Sequence, residues 1–271
     1  MHRSNGQLGL VEGFLAGGLG RNSRLDAIDA AIDWAAIERL VSIIYDAPEG
    51  RPSYPPLSLV KALLLQQWYG LSDVRLEEAL SDMSYRRFAR LSLEDGTPDH
   101  STISRFRMAL RERKLDEALF EEVVLQLEQK GFVLKRGTLL DATLVEAQAS
   151  KPGIGEGKGA KSNIDSDADW TRNRGKSFFG YKAHVAVDDG SGMIRRAILT
   201  SAKTYESEVA DDLISGDEEA IYADKAYEHK ERRARLKAAG SHHASQPQAP
   251  ERAAALAGEA QRAHRSHSLG R

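Results

Sequence analysis

The sequence predicts an α+β chain in which a helical N-terminal region precedes a mixed β-sheet core that is incomplete at its C-terminal end. Up to about residue 131, apolar residues recur at helical spacing. From Val133 onward the helical spacing gives way to short apolar runs and to a predicted hairpin in which apolar and polar residues alternate. The last 31 residues, Ser241–Arg271, contain no Ile, Val, Phe, Trp or Tyr and cannot form a core. We therefore expect a helical domain over 1–131, a partial core over 132–240 and a disordered tail over 241–271.

The first predicted helices are read from apolar spacing and from their ends. Apolar residues recur from about Ser23 to Ile44 and stop before a proline-rich stretch. The strongly apolar run Leu57 to Tyr69 predicts a second helix that ends at Gly70, because glycine accepts the left-handed backbone of a C-cap. Ser72 then caps a short helix over about Asp73 to Ser81.

Two more helices complete the predicted helical domain. After Pro98, Ser101 is placed to cap a helix that carries Ile103, Phe106 and Leu110 on one face. Another helix begins near Leu115 and closes at Gly131. Short helices joined by tight turns are typical of helix-turn-helix modules.

The remaining elements form an alternating series. A strand over Val133–Val145 is followed by a polar loop over 150–177, a hairpin (Tyr181–Val187 and Met193–Thr200), a helix (Thr204–Ile214), a strand (Ala220–Ala223) and a basic helix (Tyr227–Ala239). Strand, hairpin, helix, strand and helix in this order are compatible with a ribonuclease-H-like mixed sheet.

Composition excludes several classes of protein. The chain has no cysteine, so it has no disulfide, thiolate metal site or cysteine nucleophile, and a reducing cytoplasm fits it. No apolar run reaches the roughly 18 residues of a membrane span, so no membrane partner is expected. Lys plus Arg number 38 against 40 for Asp plus Glu, which restricts any nucleic-acid surface to a local patch.

Two aspartates are the candidate catalytic and metal-ligating residues. Asp141 and Asp224 each follow a short apolar strand, and burying a carboxylate without a compensating cation is costly. If adjacent strands bring them together, their hard oxygen ligands select Mg²⁺ or Mn²⁺, which supports in-line displacement at phosphorus. Strand-end turn formers or helix N-caps are the ordinary alternative for such residues. A packed or surface role is likewise the ordinary alternative to metal ligation for His184 and His229.

Basic residues are concentrated in two places. The stretch from Tyr85 to Lys114 contains eight basic residues and four acidic ones, and a second cationic helix follows Asp224. Such runs can bind phosphates, although many are only solvated helix surface. The candidate DNA-binding residues are Arg86, Arg87, Arg105, Arg107, Arg111, Lys225, Arg232 and Arg233.

Five stretches in order resemble the bacterial insertion-sequence transposases of the insertion-sequence-five family. They are Arg51–Leu65, Asp95–Arg107, Asp141-Ala-Thr, Gly180-Tyr-Lys-Ala-His and Ala223-Asp-Lys-Ala-Tyr. The resemblance covers about residues 6–240. It implies a DNA-binding N-terminal domain and a catalytic core with two aspartates and a glutamate, of which Asp141 and Asp224 match the first two.

The third carboxylate has no match in this sequence. In the family it lies on a later helix with Tyr, Arg, Glu and Lys at set spacing, and neither Glu251 nor Glu259 has such neighbours. Local substitutes would be Glu146, Glu206 or Glu208, for which a solvated surface role is the ordinary alternative. The change of composition at Ser241 suggests the hypothesis of a reading-frame change that produced the tail.

The resemblance implies a function with partners and a location. We expect a Mg²⁺- or Mn²⁺-dependent DNA transposase that cuts element ends and joins them to target DNA, impaired by loss of the third carboxylate. Its partners would be double-stranded terminal inverted repeats and target DNA, with a homodimer left open, in a bacterial cytoplasm at the nucleoid. The alternatives are a non-catalytic protein that occupies element ends, and an unrelated metal-dependent nuclease.

Overall fold

The structure of the protein is a computed structural model. It describes residues 20–44, 53–93, 96–147, 165–173, 175–227, 229–238 and 242–245. The described residues form two compact units, with the boundary between Gln126 and Leu127. None of the described helices is long and apolar enough to cross a membrane.

The first unit is helical. Its helices are α1 (Ser23–Ala31), α2 (Trp34–Val41), α3 (Pro56–Tyr69), α4 (Asp73–Ala79), α5 (Met83–Phe88), α6 (His100–Glu112) and α7 (Leu115–Gln129), and a 3-10 turn covers Ser42–Ile44. One apolar cluster joins them, with α3 contributing its buried stretch from Leu57 to Leu65. The predicted helical region is therefore confirmed.

Local signals in the sequence explain several features of these helices. Gly70 adopts φ 62° after α3, as its place behind the apolar run predicts. Ser72 caps α4 through a hydrogen bond from the Arg75 amide, 3.3 Å. On α6 the predicted face of Ile103, Phe106 and Leu110 is the buried one.

Two helix starts differ from the prediction. The single helix expected over Ser23–Ile44 is interrupted, because Ile32 is extended and the Asp33 side chain accepts from the Ala35 amide to begin α2. The N-cap of α6 is Asp99 rather than Ser101. The Asp99 carboxylate accepts from the Thr102 amide at 2.6 Å, and the Ser101 hydroxyl donates to Asp99.

The second unit is a mixed sheet flanked by helices. Its strands are β1 (Thr138–Glu146), β2 (Asp169–Asn173), β3 (Lys176–Asp188), β4 (Ile194–Ser201), β5 (Ala220–Ala223) and β6 (His242–Ser245). Helix α8 (Glu206–Leu213) precedes β5, and a 3-10 turn (Lys225–Tyr227) and α9 (Lys230–Ala238) follow it.

Strand order places β1 in the middle of the sheet. The strands run β4, β3, β1, β5, β6, with β1 antiparallel to β3 and parallel to β5. β2 pairs with the first residues of β3. The expected hairpin and the strand before Asp224 are both present, so the mixed sheet after the helical region is confirmed.

The sheet contains two strands that apolar patterning does not predict. β2 lies in the segment expected to be a polar loop, and β6 lies in the segment expected to be a disordered tail. Both pair through the backbone, which needs no apolar side chain, and β6 is parallel to β5 from His242 to Ser245. The remainder of the tail, together with most of the predicted glycine-rich loop, lies outside the described residues.

The core of the second unit lies between the sheet and α8. Leu140, Ile221 and Ala223 from the central strands are buried with Ala210 and Leu213 from α8. Tyr227 and Leu236 belong to the same cluster. This packing fixes the central strand pair from which the acidic residues project.

Candidate functional site

Asp141 and Asp224 occupy neighbouring positions on the two central strands. In the parallel pairing of β1 with β5, Leu140 is opposite Ala223. Asp141 and Asp224 are the residues that follow these two in the sequence. Paired strands lie about 4.8 Å apart. The fold therefore brings together two acids that are distant in the sequence.

Asp141 lies inside its strand rather than at its end, which corrects the position expected from sequence. β1 continues to Glu146 because it keeps pairing with β3, where Val185 is opposite Asp141. β5 stops at Ala223, so Asp224 does follow a strand end and is exposed. The two carboxylates therefore differ in burial.

The environment of Asp141 disfavours its negative charge. Burial raises the pKa of Asp141 above its ordinary value, the amide of Ala142 opposes this by donating to Oδ1 at 2.8 Å, and the charge of Asp224 adds to the rise. Among the described residues, no cationic side chain forms an ion pair with Asp141. This is the setting in which a bound cation stabilises a pair of carboxylates.

Among the weighed substitutes for the third carboxylate, Glu206 is the half-buried one. It begins α8 and accepts a hydrogen bond from Lys182 Nζ at 2.9 Å. Burial acts to raise the pKa of Glu206, but the bond and charge of Lys182 outweigh it and hold the pKa below its ordinary value. Lys182 is buried and also donates to the carbonyl of Thr204. Glu206 is therefore an ionised, paired acid.

Other candidate ligands do not complete a metal site. Glu146 and Glu208 are exposed, and no group of three His, Cys, Asp or Glu side chains within the described ranges is arranged to hold a metal ion. Glu251 and Glu259 lie outside the described residues. The described site thus offers two adjacent carboxylates.

The two histidines have different surroundings. His184 is fully buried on β3, and its Nε2 lies 3.0 Å from the Thr200 hydroxyl. Burial, followed by the charge of Lys182, lowers the pKa of His184 and keeps it neutral. His229 is exposed before α9.

Tyr227 is a residue of this site that the sequence reasoning did not single out. Its side chain is buried, and burial raises its pKa, followed by the negative charges of Asp141, Glu206 and Asp224. The signal available in the sequence was the stretch Ala223-Asp-Lys-Ala-Tyr, which places a tyrosine three residues after the second acid.

Three of the predicted DNA-binding arginines are engaged within the protein. Arg86 is buried and donates to the carbonyls of Leu80 and Ser92. Arg107 donates to Asp73 and to Gln66. Arg232 is buried as well and pairs with Asp211, so the guanidinium groups of these three arginines form hydrogen bonds within their own units.

The other predicted basic residues are more accessible. Arg87 is exposed and lies 3.7 Å from Asp26, and the exposed Arg105 donates hydrogen bonds to Ser101 and Thr102 of its own helix. Arg111 and Arg233 are exposed. The side chain of Lys225 lies outside the described part of the chain.

Comparison with known proteins identifies transposases. Residues 17–109 match the family model described as Transposase domain (DUF772), and residues 134–271 match that described as Transposase DDE domain. A solved structure, the Mos1 transposase paired-end complex with left transposon end, is 14% identical with a TM-score of 0.24. That similarity covers 74% of this chain and 62% of the other, so the chain spans less than two thirds of the length of that transposase. Because the second family model alone matches half of its residues, this chain belongs to the transposase DDE domain family.

Proposed function

We propose that this chain is a DNA transposase of the insertion-sequence-five type that uses Asp141 and Asp224 to hold a divalent cation. The observation that carries the proposal is the adjacency of these two aspartates on paired parallel strands, in a chain of the transposase DDE domain family. The substrates would be double-stranded terminal inverted repeats and target DNA. We also propose a homodimer and a cytoplasmic, nucleoid-associated location.

The residues present fit a divalent cation. Carboxylate oxygens are hard ligands that suit Mg²⁺ or Mn²⁺. The half-buried Asp141 faces the negative charge of Asp224 and has no ion-pair partner among the described residues, so a shared cation would offset the cost of keeping both ionised. When bound, such an ion activates water and stabilises charge on the oxygens of a phosphodiester.

The protein side chains have two tasks in this mechanism. Asp141 and Asp224 are held at fixed separation by strand pairing, so little reorganisation is needed to bind a cation. Exposed arginines, among them Arg105 and Arg111, would hold the DNA backbone. Cleavage by water and joining by a 3′ hydroxyl are both in-line displacements at phosphorus, so one carboxylate set serves both steps.

We propose that this chain joins DNA poorly when it acts alone. The sequence after Gly240 offers no glutamate with the neighbours that the family resemblance requires. With two carboxylates, cation affinity falls and a second ion is poorly held. A reading-frame change near Ser241 would explain this, and translation of the adjacent frame tests it: a frame without a Tyr-Arg-Glu-Lys helix contradicts the idea.

A second candidate function is occupation of element ends without catalysis. The observation in its favour is that the described acids form no group of three suited to a metal ion. A protein of this kind would bind terminal repeats through its exposed arginines and compete with an intact transposase.

Incubation of the purified chain with element-end DNA and MnCl₂ separates the two functions. The transposase nicks the DNA in a metal-dependent manner, and D141N abolishes nicking while leaving the gel shift unchanged. D212N is the matched control, because Asp212 is an exposed acid of α8 that the proposed cation site does not include. A shift without any nicking supports the binding protein, and robust strand transfer overturns the expected impairment.

A further inference from the structure

The hydroxyl of Tyr227 is a buried polar group that the mechanism above does not use. The Tyr227 side chain belongs to a residue only 3% exposed, and its hydroxyl has no hydrogen-bond partner among the described residues. A buried donor without a partner destabilises the folded protein. Buried polar groups in native proteins usually have a hydrogen-bond partner, and that partner can be a bound water or a ligand.

Tyr227 packs in the same buried cluster as Leu140 and Ala223, the residues that precede Asp141 and Asp224 in the chain. The negative charges of Asp141, Glu206 and Asp224 all act on the Tyr227 phenol, with Asp141 exerting the largest of the three effects. These charges disfavour the phenolate, so the Tyr227 hydroxyl keeps its proton and can donate it in a hydrogen bond toward the acids. The surroundings therefore favour Tyr227 as a donor to these acids.

The backbone around Tyr227 is fixed in place. The Tyr227 amide donates to the carbonyl of Asp224 at 2.9 Å, and the Tyr227 carbonyl accepts from Arg232 Nη1 at 2.6 Å. The same guanidinium donates to the carbonyl of Ser207 at 2.7 Å, in the first turn of α8 beside Glu206. Arg232 thus ties the turn that carries Tyr227 to the helix that carries Glu206.

We propose that Tyr227 is a positioning residue of the acid site, whose hydroxyl donates a hydrogen bond to water bound at the Asp141 carboxylate and so strengthens binding of the divalent cation. The inference rests on the proposed function. Hydrogen bonds from the shell around metal ligands orient those ligands, and their loss typically lowers metal affinity about 10- to 100-fold.

Calorimetric titration with MnCl₂ tests the proposal on the full chain. Y227F is expected to bind Mn²⁺ about tenfold more weakly than the unaltered chain. Because the substitution removes a hydroxyl without a protein partner, its melting temperature should be equal or higher. Y222F is the matched control: Tyr222 is a half-buried tyrosine of β5 that the proposal does not involve, so the Mn²⁺ affinity of this variant should be unchanged.

A second readout reports directly on the phenol. Addition of Mg²⁺ should perturb the near-ultraviolet tyrosine absorbance of the unaltered chain and of Y222F, and the perturbation should be lost in Y227F. Equal Mn²⁺ affinities for Y227F and the unaltered chain overturn this inference but leave the cation site intact. If the unaltered chain binds no Mn²⁺, both the cation site and this inference fail, and D141N would then titrate identically.

Discussion

Lys61 shows how a single buried charge links the stability of the helical unit to pH. The side chain is fully buried, lies 4.1 Å from the centroid of the Trp34 ring and pairs with Asp29. Burial lowers the pKa of Lys61 from 10.5 to about 8, the charge of Arg90 adds to this, and Asp29 opposes it.

The free energy of unfolding is therefore expected to rise between pH 8 and pH 10.5. In that interval the unfolded chain keeps the Lys61 proton while the folded chain has released it, so raising the pH favours the folded state. The gain attributable to Lys61 is on the order of 2–3 kcal/mol. Below pH 8 both states are protonated and the contribution does not change.

Urea unfolding of the unaltered chain and of K61M, from pH 7 to pH 10, measures this effect. The difference between their unfolding free energies isolates Lys61 from other groups that titrate over the range, and it should change with pH in the direction given. Parallel curves for the two proteins would show that the burial of Lys61 has no such effect.

Single residues also show how much of the candidate site could be predicted from the sequence. The adjacency of Asp141 and Asp224 could be predicted because an acid after an apolar run is a local signal, and strand pairing then brings the two together. Their catalytic and metal-binding roles stay predictions. The interior roles of Arg86 and Arg232 could not, because they depend on carbonyls presented by other segments. Tyr227 was missed for the same reason, since its burial is visible only in the folded chain.

Arg232 joins two elements of the second unit. Its Nε donates to Asp211 on α8 at 2.8 Å, in addition to the bonds with the Tyr227 and Ser207 carbonyls. We expect R232A to lower the free energy of unfolding by about 2–4 kcal/mol, because buried acceptors lose their donor. Thermal or chemical unfolding of the variant measures the loss.

R233A is the matched control for this prediction. Arg233 is the next residue of α9 and its side chain is exposed, so the substitution should change the free energy of unfolding by less than about 0.5 kcal/mol. If R232A were as stable as R233A and lost only DNA affinity, Arg232 would be a DNA contact, as the sequence predicts, and not an internal tie.

Elements with strong local signals could be predicted, and elements defined by distant pairing could not. The end of α3 at Gly70 and the β3–β4 hairpin follow from glycine placement and alternation. The break at Asp33 gives no such signal, because apolar spacing continues across it. β6 is unpredictable from patterning, since its backbone pairs with β5 without an apolar face in its sequence.

At the scale of the whole chain, the charge balance gives no indication of a DNA partner. The formal net charge is −2, and several basic residues in the predicted patches are paired within the protein. Within the predicted patches, the described arginines that remain exposed are therefore the expected source of attraction for DNA. Within the helical unit these include Arg87, Arg105 and Arg111. Arg105 and Arg111 lie on the half of α6 opposite its buried positions.

DNA affinity should consequently depend on salt through these arginines. Each phosphate contact contributes about 0.9 to the slope of log affinity against log salt concentration. Removing all three, as R87A/R105A/R111A, should reduce the magnitude of that slope by about 0.9 for each arginine that touches a phosphate.

R75A is the control, because Arg75 is an exposed arginine of the same unit that pairs with Glu78 on its own helix and belongs to neither predicted patch. Fluorescence anisotropy with element-end DNA between 50 mM and 300 mM salt gives the slopes. A triple variant that keeps the slope of the unaltered chain would show that this unit does not bind the DNA backbone through these residues, and a variant that loses slope while keeping its melting temperature would show that charge alone was removed.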